Sequence, residues 1–97
     1  MVSKKQRERA HKAARLFRLA GSSTRVLILA TLQNRRALAV QKIAKELGMT
    51  HSAVSHQLAL LSREKIVMSE KSGRTVHYSM AMYKEAKALG GFLKAFL

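Results

Sequence analysis

From Thr50 to Gln57 the chain reads Thr-His-Ser-Ala-Val-Ser-His-Gln, a run dense in short side chains that donate and accept hydrogen bonds. Val54, Leu58 and Leu61 form an apolar stripe at i, i+4, i+7 spacing, which is the core face of a helix. Ser52, Ser55, His56 and Gln57 lie off that stripe. Their chemistry is hydrogen bonding to nucleic-acid base edges and phosphates, and Gln57 carries the paired acceptor and donor suited to adenine. Thr50 and His51, at the positive end of such a helix, are placed for a phosphate. Covalent chemistry is excluded by the same inventory. Ser55 and His56 are neighbours i and i+1, which do not face each other on a helix, so they are no nucleophile–base pair. The chain has no cysteine, no closely spaced carboxylate pair and no glycine-rich phosphate loop after a strand. No enzyme is expected.

The elements that must hold this run can be read outward from it. Ile43, Ala44 and Leu47 form a second apolar stripe on a helix from about Val40 to Leu47. Gly48 follows where a helix end wants positive φ, and Thr50 where the next helix wants a capping oxygen. Residues 43–63 therefore read as a helix-turn-helix, whose second helix enters the DNA major groove. After Lys65 the period changes from 3.6 to 2: Ile66 and Met68, then Val76, Tyr78 and Met80, alternate with other residues, with Thr75, His77 and Ser79 facing the other way. Lys71-Ser72-Gly73-Arg74 reads as the tight turn between two strands. Residues 66–80 are then a β-hairpin wing, and Ala37 to Val40 a brief edge strand.

Two more helices come before this unit and one after it. Residues 4–20 carry Ala10, Ala13, Ala14, Phe17 and Ala20 on one stripe, with Leu16 and Leu19 at its margin. The helix from about Thr24 to Gln33 is apolar over most of its circumference and belongs in the core. Residues 81–97 are expected to be helical throughout. Their stripe of Met82, Leu89, Phe92, Leu93, Phe96 and Leu97 exceeds what so small a core can cover, so it marks a partner surface. Gly90-Gly91 costs about 1 kcal/mol per residue in a helix interior. The pair implies either a helix end or close approach of another helix. The fold class is mainly α with a small β-hairpin (α+β): a winged helix-turn-helix in one domain, 1–97.

Composition agrees with a polyanionic partner. Among 97 residues, 19 Lys and Arg stand against 5 Asp and Glu, a net charge of +14. Solubility alone needs a magnitude of only about 2–8. Arg35, Arg36, Lys42 and Lys45 around the turn, and Lys71, Arg74 and His77 on the wing, are expected on the DNA backbone. Nothing is apolar enough to span a bilayer and no signal-peptide pattern appears, so a cytoplasmic location is expected without membrane partners. Basic residues on the first helix leave a second reading open, a non-specific architectural DNA-binding protein of the nucleoid type.

The chain resembles the arsenic-repressor (ArsR/SmtB-type) family of winged-helix repressors over roughly residues 14–80. The resemblance rests on the runs 16–20, 24–29 and 43–48, and above all on Ser52 to Leu61 and Gly73 to Tyr78. It implies a homodimer that binds a palindromic operator, with the first and last helices paired across the two-fold axis. Phe17, Leu89, Phe92, Leu93 and Phe96 are the interface residues expected. It also implies where a metal would bind, and the residues there do not suit one. Ala39 and Gln41 stand at the positions of the arsenic-type cysteines. The last helix, which carries the zinc-type site, has Glu85 as its only acid and no histidine. His11, His51, His56 and His77 are scattered over different elements. No metal or other cofactor is expected, and the effector is left unidentified.

Overall fold

A computed structural model describes residues 1–33 and 37–97. In chain order the elements are α1 (Lys4–Leu19), α2 (Ser23–Leu32), β1 (Leu38–Ala39), α3 (Val40–Leu47), α4 (His51–Arg63), β2 (Val67–Ser72), β3 (Thr75–Met80) and α5 (Lys84–Phe96). Three of the helices start on a hydroxyl cap. Ser3 Oγ accepts from Gln6 N–H and Gln6 Oε1 accepts from Ser3 N–H, a reciprocal capping box on α1. Ser22 caps α2, and Thr50 Oγ1 accepts from Ala53 N–H at 3.1 Å to cap α4. Ala39 gives α3 no side-chain cap. Instead Ala39 is held in β1, paired with His77 of β3, so strand pairing fixes the backbone that enters α3.

The sheet is antiparallel with order β1-β3-β2, which places the last strand of the hairpin in the middle. Leu38 pairs with Tyr78 on one side; on the other the register runs from Val67 opposite Met80 to Ser72 opposite Thr75. Every residue of β3 is half-buried for that reason. Gly48 and Gly73 both sit at φ 65, closing α3 and turning the hairpin. At the end of α4 the same left-handed position is filled by Lys65, φ 63, while Ile66 N–H donates to Leu61 O.

The core joins Ile28, Leu29 and Leu32 of α2 to Ile43 of α3, then to Val54, Leu58 and Leu61 of α4. Ile66, Val67, Leu89 and Leu93 complete it. Each such side chain contributes roughly 1.5–3 kcal/mol by leaving water. Helix α4 is therefore seated by three fully buried residues along its length.

Four expectations are corrected. Val67 is buried and Met68 exposed, because Ile66 precedes the strand in the bonded turn closing α4 and the alternation starts one residue later. The last helix starts at Lys84, not 81: Ala81 N–H donates to Ile66 O and extends the hairpin pairing by one residue, and Met82 and Tyr83 lead into α5. Leu27 of α2 is exposed although its helix is mostly apolar. At Gly90-Gly91 α5 runs on unbroken, so the pair marks no helix end, and among the described residues of the chain no other helix's backbone lies against it. A Cβ on Gly90 would lie 2.6 Å from Gln33 Oε1, so its missing side chain makes room for the Gln33 amide, while Gly91 faces open space.

Candidate nucleic-acid interface

Helix α4 sorts its residues by angle around the axis. Val54, Leu58 and Leu61 point inward; Ser52 and His56 are exposed on the far side. His51 and Ser55 lie on the flank toward the wing. There they line a groove of about 220 Å³ with Arg74, Thr75, Val76 and Tyr78 of the hairpin and Val40 and Gln41 of α3. The groove brings side chains of the two consecutive helices α3 and α4 against the hairpin further along the chain. Thr50 caps α4 through its oxygen, which leaves its O–H free to donate outward from an exposed position. The helix N-terminus adds its own partial positive charge at the same point.

The cations expected on the DNA backbone divide. Lys42 and Lys45 are exposed on α3 beside the turn, and Arg74 is exposed at the hairpin tip. Lys71 is exposed and shares the sheet face of its partner Val76, the face that looks toward α4. His77 does not join them. It lies on the other face of the sheet, half-buried beside Glu70, Ser72 and Ala37, because side chains alternate along a strand. Arg35 and Arg36 lie outside the described residues.

Gln57 also departs from its expected place. It is half-buried on the flank of α4 opposite Ser55, and its Oε1 accepts a hydrogen bond of 3.2 Å from Arg25 Nη1. The acceptor needed for a two-pronged adenine contact is thus engaged within the protein. Sequence reasoning missed Arg25 altogether. Its Nε donates to Leu19 O at 2.7 Å and its Nη2 to Arg18 O at 3.3 Å, so it caps the end of α1 while holding α4. A cation in the first turn of an apolar helix opposes the helix dipole, and that misfit was the available signal that its side chain works elsewhere. Arg15 was missed too. It pairs with Glu64 at 2.8 Å, joining α1 to the end of α4.

On the opposite side of the molecule, α1 and α5 leave an apolar hollow lined by Ala13, Leu16, Phe17, Ala20, Ala88, Leu89 and Phe92. Phe17, Phe92 and Phe96 are 68%, 51% and 76% exposed, and the rings of Phe92 and Phe96 stack at 5.0 Å. Leu93 is corrected from the expected interface set. At 4% exposure it is a filled position of the chain's own core, because the inward face of α5 packs on α2, whereas Leu89, 5% exposed, joins that core and also forms the floor of the hollow. Among the described residues no group of three His, Asp or Glu side chains is placed to hold a metal ion, and no helix is long and apolar enough to cross a membrane.

Residues 22–69 match the family described as bacterial regulatory protein, arsR family. The chain is 35% identical over 71 residues to the HTH-type transcriptional regulator NmtR of Mycobacterium tuberculosis, covering 73% of this chain. It spans only 58% of that relative's length. HlyU from Vibrio cholerae superposes with a TM-score of 0.82 at 30% identity, over 91% of this chain and 94% of that one. A fragment from Mycobacterium bovis, described as a homodimeric winged helix-turn-helix DNA-binding domain, has the same fold: TM-score 0.77, 22% identity, 98% of this chain and 86% of that one.

Proposed function

The chain belongs to the arsR family of bacterial regulatory proteins, and from that premise we propose that it is a homodimeric, sequence-specific transcriptional repressor. The observation that carries this reading is the groove in which His51 and Ser55 of α4 meet Arg74 of the wing. A base-reading serine and two phosphate-binding groups converge there on a helix seated in the core. Ser52, Ser55 and His56 read base edges, and Gln57 stays with Arg25. Thr50, His51, Lys42, Lys45, Lys71 and Arg74 hold the phosphates on either side.

A second copy covers the α1–α5 hollow, with Phe17, Phe92 and Phe96 at its centre. The fold neighbour from Mycobacterium bovis, itself described as homodimeric, supports that arrangement. Two reading helices related by a two-fold axis fit half-sites about 34 Å apart on a palindromic operator. Such a protein acts in the cytoplasm. Metal control through the family's usual positions forms no part of this reading, because Ala39 and Gln41 offer no thiolates and the last helix, with Glu85 as its only acid and no histidine, offers no cluster of ligands.

The test is selection of bound fragments from the source genome at physiological salt, followed by sequencing. The proposal expects a palindrome whose half-sites lie one helical turn apart. Recovery of fragments with no shared sequence would replace it with the architectural reading that the net charge of +14 also allows.

A further inference from the structure

We infer that Arg25 is a positioning residue that locks the reading helix to α1, so that the geometry of the dimer face sets how α4 meets DNA. The inference rests on the proposed DNA-reading function and adds to it a residue outside the DNA surface. One guanidinium makes three hydrogen bonds: to Leu19 O and Arg18 O at the end of α1, and to Gln57 Oε1 on α4. Its planar fork suits this, since the donors leave in fixed directions. Helix α1 otherwise meets the body through few groups: Leu19 is its only buried residue, with Leu16 and Ala20 packed at the core's edge. The Arg15–Glu64 pair gives a second tie at the far end of α4. Phe17, which faces the dimer side, lies two residues from Leu19. A shift of α1 at the dimer face is therefore passed to α4 at Gln57 and at Glu64.

The experiment combines a distance measurement with a binding measurement. The chain has no cysteine, so Lys12→Cys and Ala59→Cys, both at exposed positions on α1 and α4, accept spin labels cleanly. Doubly labelled chains diluted with unlabelled ones report the α1–α4 distance within one chain. Binding is measured on the duplex recovered by genomic selection and on a random-sequence duplex of equal length. Gln57→Leu cuts only the α4 end of the bridge and leaves Arg25 capping α1, which protects folding; a cooperative thermal melt checks it. The expected result is a broadened distance distribution and a selected-to-random affinity ratio lowered about tenfold, the effect of one charge-assisted hydrogen bond, with random-sequence affinity unchanged. Arg25→Met does the same, and Gln57→Glu, which keeps an acceptor for Arg25, retains the narrow distribution and most of the ratio. An unchanged distribution in Gln57→Leu overturns the inference. So does a ratio lost in Gln57→Glu with the distribution still narrow, since Gln57 would then be reading DNA itself. If the unsubstituted protein shows no preference for the selected duplex, the DNA-reading proposal fails, and the distance arm still decides whether Arg25 locks the two helices.

Discussion

Helices α1 and α4 are both amphipathic and both carry polar outer faces, yet they are held in opposite ways. Helix α4 has Val54, Leu58 and Leu61 fully buried along its length. Helix α1 buries only Leu19, near its end, and exposes Phe17. The seat of α4 is made by the chain's own core, and only its trim is left to the Arg25 and Arg15 ties to α1. That of α1 is set by end contacts, and its apolar side is the one the proposed second copy would cover. On the proposed function, the well-seated helix is the one that reads sequence and the lightly held one is the one that meets a second subunit.

This contrast can be broken in several ways, beginning with the largest effect. If the dimer neutralises roughly 6–10 phosphates, DNA affinity falls by about 10³–10⁵ between 50 and 200 mM salt. Self-association through α1 and α5 is apolar and should hardly change over the same range; titration and sedimentation at matched salt measure the two. Next comes the core. Leu58→Ala on α4 should cost about 2–5 kcal/mol in chemical unfolding. Phe17→Ala on α1, at an exposed site, should change the unfolding of the monomer by no more than about 0.5 kcal/mol. A large loss for Phe17→Ala in the monomer would erase the distinction. Phe92→Ala should weaken self-association by about 2 kcal/mol, the size expected of an aromatic hot spot, as read by sedimentation equilibrium. A smaller loss comes from Thr50→Ala, which removes the cap of α4 at about 1 kcal/mol in thermal unfolding and weakens DNA binding as that helix end loosens.

What the sequence made legible was what short-range physics decides. Gly48 and Thr50 marked the turn because a positive φ and a cap each require a particular residue type at a particular place. The wing followed from a change of period and a glycine. The readings that failed depended on what lies across from a residue. Leu93 belongs to an apolar stripe, and a stripe does not say whether the covering surface comes from the same chain or another. Gln57 is chemically suited to adenine, yet its direction is set by Arg25, 32 residues earlier. The start of α5 was misplaced because Tyr83 supplies no side-chain cap and Ala81 is bonded back to Ile66. The close of α4 likewise has Lys65 in the left-handed position where glycine would have announced it.

The central claim is that α4 reads sequence and does not only neutralise charge. The most direct test is the ratio of affinities for the selected palindromic duplex and a random duplex, measured by competition at physiological salt. The account predicts a ratio above about 10³. A ratio near one would contradict it and leave a protein that coats DNA without reading it.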